Sequence, residues 1–139
     1  MIKEKNKEDL QKKYLELQIL VNQINQIQQQ IQIMQNQILE LKNLEDNLKR
    51  FKEIKENTEA YVPLGLNIFI KAKLADNKEF LVGVGNNALV VKNLEDTLLL
   101  IQSQINEVQN IINELEAQFT NLDLNAAKIQ EELSGLSNQ

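Results

Sequence analysis

The feature that most constrains this chain is a run of thirteen apolar residues spaced alternately four and three apart: Leu94, Leu98, Ile101, Ile105, Val108, Ile112, Leu115, Phe119, Leu122, Ala126, Ile129, Leu133 and Leu136. That spacing lays a single apolar stripe along a helix, and only another helix with the same repeat can cover it. Asn93 stands where an N-cap is needed, with Asp96 three residues on. The pattern predicts a helix over 93–136 whose end is loosened by Gly135.

A matching stripe lies in the first third of the chain. Leu17, Leu20, Ile24, Ile27, Ile31, Met34, Ile38 and Leu41 alternate three and four apart, and Leu10 extends them backward through Lys13. The intervening Asn22–Gln37 stretch is rich in Gln and Asn, a composition that also suits disorder, but the heptad spacing favours a coiled coil. Past Leu41 the phase is read as slipping, with Leu44 replacing Glu45 before Leu48, Phe51 and Ile54. The pattern predicts a helix over 6–57, with Asn6 and Asp9 as its capping pair. Lys49, Arg50, Lys52 and Lys55 sit near its end, where the helix dipole favours cations. At 1.5 Å per residue each seam extends about 65 Å. Two equal seams in one chain favour an antiparallel hairpin with both termini together over two separate helices that recruit other chains, because an intramolecular partner is at high local concentration.

Between the seams the pattern changes. Leu66, Ile68, Ile70, Ala72 and Leu74 alternate with other residues at a period of two, as a strand does. Asp76–Asn77–Lys78 reads as a turn, Glu79–Gly85 and Ala88–Lys92 as further strands, and Ala60–Leu64 as a short strand whose Pro63 implies an edge. Residues 60–92 are therefore expected to form two β-hairpins. So short a segment cannot build its own core. Its apolar residues (Val62, Leu64, Ile68, Phe69, Ile70, Phe80, Val82, Val84, Leu89 and Val91) fall on more than one face, beyond what two helix ends can cover. The strands are expected to pair with strands of other subunits, giving an α+β fold in which a long coiled-coil hairpin carries a shared β-core.

Composition narrows the chemistry. The 139 residues suit one domain, and they include no Cys, no His and no Trp. That removes disulfides, thiolate ligands and the commonest general base. Gly83–Val84–Gly85–Asn86–Asn87–Ala88 fits a dinucleotide fingerprint in letters only, since a strand rather than a helix follows it. Acidic neighbours such as Glu45–Asp46, Glu95–Asp96 and Glu131–Glu132 do not face each other on a helix. No enzyme, cofactor or metal is expected. A net charge of −5 disfavours nucleic acid. The charge-free run Leu17–Leu39 is too often broken by Gln and Asn to span a membrane, and the charged N-terminus is unlike a secretion signal. These features point to the cytoplasm.

Tyr61–Gly85, YVPLGLNIFIKAKLADNKEFLVGVG, resembles the α-class subunits of prefoldin, a cochaperone family. The likeness is carried by Val62–Pro63–Leu64–Gly65, by Lys71–Ala72–Lys73 and by Val84–Gly85. It implies a hexamer of two α-type and four β-type subunits, so the partners would be a second copy of this chain and β-type chains. It also implies a double β-barrel body, ATP-independent capture of unfolded proteins at the coiled-coil tips, and delivery to a group II chaperonin. Candidate client-binding residues are Leu10, Tyr14, Leu15, Leu17 and Ile19 near one terminus, and Leu122, Leu124, Ile129, Leu133 and Leu136 near the other. Tyr14, Leu15, Ile19 and Leu124 lie off the seam and are freest for that role. The rival reading is a structural coiled-coil scaffold that binds one defined folded partner.

Overall fold

The computed structural model describes the backbone of residues 2–137 and the side chains of residues 5–136. In chain order it contains α1 (Ile2–Arg50), a 3-10 turn (Phe51–Glu53), β1 (Glu59–Gly65), β2 (Ile68–Lys73), β3 (Phe80–Gly85), β4 (Ala88–Lys92) and α2 (Leu94–Ser137). Two compact units result. A terminal unit joins residues up to Gln37 with those from Val108 onward, and a central unit runs from Ile38 to Glu107.

Within the terminal unit the helices pair antiparallel, with Lys13 of α1 bridging Glu132 of α2. Ile112, Ala126 and Leu133 are buried along α2. Leu10, Leu17, Leu20, Ile24, Ile27, Ile31 and Met34 form a half-buried line along α1. All are seam positions, so the heptad repeat decides which face of each helix leaves water.

Within the central unit the two helices also pack together. Leu48, Leu98 and Ile101 form its buried cluster, with Leu41, Leu94, Ile105 and Phe80 packed around them. The expected phase slip does not occur. Glu45 holds the seam position in a half-buried state while Leu44 stays exposed. Leu41 and Leu48 already fix the rotation of α1, and the stem of Glu45 can lie in the seam while its carboxylate reaches Lys49 at 3.6 Å.

Helix α1 also departs from expectation at both ends. It begins by Ile2, so Asn6 lies inside the helix and does not cap it. It stops at Arg50 and tightens into the 3-10 turn, short of residue 57. The stop has a physical cause. Asn77 Nδ2 donates to the carbonyl oxygens of Phe51 at 2.7 Å and Ile54 at 3.1 Å, satisfying acceptors that a helix end leaves open. Ile54 is then extended, and Asn57 turns the chain with φ +64°. At its start α2 is capped as the sequence suggests, the Asp96 amide donating to Asn93 Oδ1 at 2.7 Å. At its far end it runs through Gly135 to Ser137.

The strands form two separate antiparallel hairpins, β1–β2 and β3–β4. Leu64 and Val84 are the bulged residues, lying where the register shifts between Pro63 and Gly65 and between Gly83 and Gly85. Each hairpin closes through two residues of positive φ, Leu66–Asn67 and Asn86–Asn87, as a tight turn of type I′ requires. Leu66, expected within a strand, is thus a turn residue. Val62, Gly65 and Asn67 recur twenty positions on as Val82, Gly85 and Asn87, so the two hairpins are one design written twice.

Phe80 connects the second hairpin to the helices. Its ring meets Phe51 edge-on, with centroids 5.7 Å apart at 85°. Asp76 Oδ1 accepts from the amides of Lys78 and Glu79, a local turn that sets Asn77 beneath the end of α1. Replacing Asn77 by Ala should therefore lower stability by about 1–2 kcal/mol, read as an earlier thermal melt by circular dichroism. Asn77→Asp should do no better, because a carboxylate cannot donate.

Candidate interaction surfaces

In the central unit the two hairpins leave most of their apolar side chains in water. Val62, Leu64, Ile68, Phe69, Ile70, Val84, Leu89 and Val91 are all exposed. Phe80 and Val82 are half-buried, and Phe80 packs against the chain's own Leu48–Leu98–Ile101 cluster, so it secures the hairpin from inside. On hairpin β1–β2, Tyr61, Pro63, Phe69 and Lys71 share one face with Glu59 and Lys73, as their cross-strand pairing dictates. A bridge of 2.9 Å between Lys71 and Glu59 ties that face together. Hairpin β3–β4 differs. Leu81, Leu89 and Val91 share an outward face that carries no charge.

Four exposed apolar residues of the two hairpins lie outside the expected set: Tyr61, Leu66, Leu81 and Val90. Tyr61, Leu81 and Val90 could have been read from strand alternation. Leu66 is harder to read, because a leucine is a poor residue for a left-handed turn and only its neighbours Gly65 and Asn67 mark one. It has φ +49° and is 96% exposed, whereas the sister turn has Asn86 at that position. A bulky aliphatic side chain there costs backbone energy and hides nothing from water.

In the terminal unit the candidate residues divide in two. Leu10, Leu17, Leu122, Ile129 and Leu136 are half-buried and Leu133 is buried, all within the seam. Tyr14, Leu15, Ile19 and Leu124 are more than half exposed. Ile19 and Tyr14 each line an open groove. One, of about 400 Å³, is lined by Lys13, Glu16, Ile19, Leu20, Lys128 and Ile129; the other, of about 220 Å³, runs between Tyr14, Leu17, Gln130 and Leu133.

Lys13 is the polar interruption of the α1 seam. Its ammonium bridges Glu132 at 2.6 Å, and that hydrogen bond holds its pKa above the ordinary lysine value. A lysine pKa raised by folding adds stability that is complete below the unfolded value and fades as the pH rises through the folded one. The bridge therefore acts throughout the neutral range. Among the described residues no cluster of acidic side chains could hold a metal ion, and no helix is long and apolar enough to cross a membrane.

The family model for the prefoldin subunit matches residues 20–139, which include both hairpins and all of α2. The chain belongs to the prefoldin family. Among its relatives is the prefoldin subunit alpha of Methanobrevibacter smithii, 32% identical over 117 residues, with 74% of this chain and 80% of the relative covered. Those of Methanopyrus kandleri (29% identical; 78% of this chain and 72% of the relative) and Thermofilum pendens (25%; 84% and 88%) agree. The chain is accordingly an α-class prefoldin subunit, a chaperone component. A cryo-EM structure of filamentous prefoldin from Methanocaldococcus jannaschii superposes with a TM-score of 0.74 over 86% of this chain and 96% of that one, at 23% identity, which shows the common fold.

Two outcomes follow from the geometry of this prefoldin chain. Lys13→Leu should stabilise it, because the position already lies in the seam and Glu132 can return to water; a higher urea midpoint reads the gain. Leu66→Asn should relieve the left-handed strain and raise the melting temperature of the isolated chain, while leaving helicity unchanged.

Proposed function

We propose that this chain is the α-type subunit of an ATP-independent holdase. Its hairpins assemble with a second copy of the chain and with four β-type subunits, closing a shared β-barrel. Its terminal unit captures unfolded proteins and passes them to a group II chaperonin, in the cytoplasm. The observation that carries client capture is the exposure of Tyr14, Leu15, Ile19 and Leu124, two of which (Ile19 and Tyr14) line open grooves. These residues have no duty in the seam. A flexible, unfolded client offers apolar side chains without fixed geometry, and scattered apolar residues along a polar coiled coil suit such a ligand better than one sculpted pocket does.

Assembly rests on the hairpins. Two-stranded sheets with apolar residues exposed on both faces are marginal alone and gain most from further strands. Family membership and the fold shared with an assembled prefoldin support this reading.

The test is suppression of aggregation of a chemically denatured client by the complex with its β-type partner. Tyr14→Ser, Leu15→Ser, Ile19→Ser and Leu124→Ser combined should lower protection several-fold. Native mass and helix content should stay unchanged. Full protection by this variant would remove the terminal unit from client binding. A complex that binds one folded protein and ignores denatured ones would favour a scaffold.

A further inference from the structure

The Gln- and Asn-rich stretch Asn22–Gln37 serves the seam through Ile24, Ile27, Ile31 and Met34, and its amides take no part in that packing. Three of them, Gln23, Gln26 and Gln30, line an open groove of about 430 Å³ together with Gln118 and Asn121 of α2. Half-buried Ile27 and Leu122 complete the lining. All five amides are exposed. Among the described residues none of the five has a hydrogen-bond partner in the protein, whereas Gln32 pairs with Asn36 and Gln109 with Asn113. Positions beside a coiled-coil seam are commonly Glu or Lys. Here the groove lining carries no charge, and neither does any residue of α1 from Leu17 to Leu39.

Exposed isoleucines bracket these amides. Ile19 is 51% exposed, stands one turn before Gln23 and lines the neighbouring groove of about 400 Å³. Ile33 is 62% exposed and stands one turn past Gln30. The rise from Ile19 to Ile33 is about 21 Å, the length of about six residues of extended chain. On α2, Ile111 lies two turns before Gln118 on the same flank and is also exposed.

We propose that this flank of the terminal unit holds an extended segment of an unfolded polypeptide by its backbone, with Gln23, Gln26, Gln30, Gln118 and Asn121 as the hydrogen-bonding residues. The inference rests on the reading of this unit as the site of client capture, and it names the part of the client that is held. Each peptide group offers one donor and one acceptor, and each side-chain amide offers both in return. A neutral groove neither selects nor repels clients by charge. Backbone groups are common to every sequence, yet a folded protein has already paired most of its own. Amides that read the backbone therefore separate unfolded chains from folded ones, while Ile19 and Ile33 receive whatever apolar side chains lie at either end.

The test uses the complex with its β-type partner and a chemically denatured client. A photoreactive benzoylphenylalanine is placed at Gln30, in the groove, or at Gln28, about 200° away round the same helix. Both positions are exposed glutamines. Client adducts on this chain should be at least fivefold more abundant from Gln30 than from Gln28. Gln23→Ala, Gln26→Ala, Gln118→Ala and Asn121→Ala combined then remove the other four amides. Alanine favours the helix and makes the groove more apolar. The adduct yield from Gln30 should nevertheless fall at least threefold, with helicity and native mass unchanged. An unchanged or higher yield would mean that capture is apolar alone and would overturn the proposal. So would equal adducts from Gln28 and Gln30, adducts from Gln30 to a neighbouring subunit only, or equal adducts with the same client in its folded form. A probe at Tyr14 keeps the two readings apart. Client adducts from Tyr14 with none from Gln30 would leave the chaperone reading standing without this groove, and none from either would remove both.

Discussion

Everything in the central unit depends on the place where Phe51, Phe80, Leu48, Leu98 and Ile101 meet. The ends of both helices and the second hairpin all contribute to this cluster. Without Phe80 the hairpin would be a two-stranded ribbon with no apolar support, a form that is marginal in water. With it, the strands gain a fixed position against α1 and α2. Asn77 completes the joint from the polar side by closing the carbonyl end of α1. Apolar packing and a buried-end hydrogen bond thus act on the same few residues.

The rest of the fold divides the work plainly. The seams cover the apolar residues at the heptad positions of the helices, and the hairpins are left with most of theirs exposed. A chain built in that way is stable along its helices and unsatisfied along its strands. The family model that the chain matches is that of a prefoldin subunit, and the exposed strands are the surface that the proposed assembly would cover.

How much of this could be read from the letters varied with the kind of signal. The α2 seam was fully legible, because Leu94 through Leu136 never miss a heptad position and every one is buried or half-buried in the structure. Glu45 was misread because a charged residue at a seam position looked like a reason to change phase. Long stems allow such residues to stay in phase at small cost. The end of α1 was misread because its stop signal lies in Asn77, far along the chain, and local propensity cannot see it. Leu66 was misread because alternation placed it in a strand, whereas Gly65 and Asn67 already marked a turn. On the candidate surfaces, residue type told which side chains were apolar, but not that Phe80 would turn inward while Leu81 stayed out.

The placement of Phe80, Leu48 and Leu98 also bears on the order in which the chain can fold. Closing a loop costs more entropy the longer it is. The stretch between Leu48 and Leu98 is far shorter than that between Lys13 and Glu132, and two hairpins with tight local turns shorten it further. Contacts in the central unit therefore carry the smaller entropic barrier and form the natural nucleus. Helix pairing can then propagate outward one heptad at a time, each step bringing the next seam residues together.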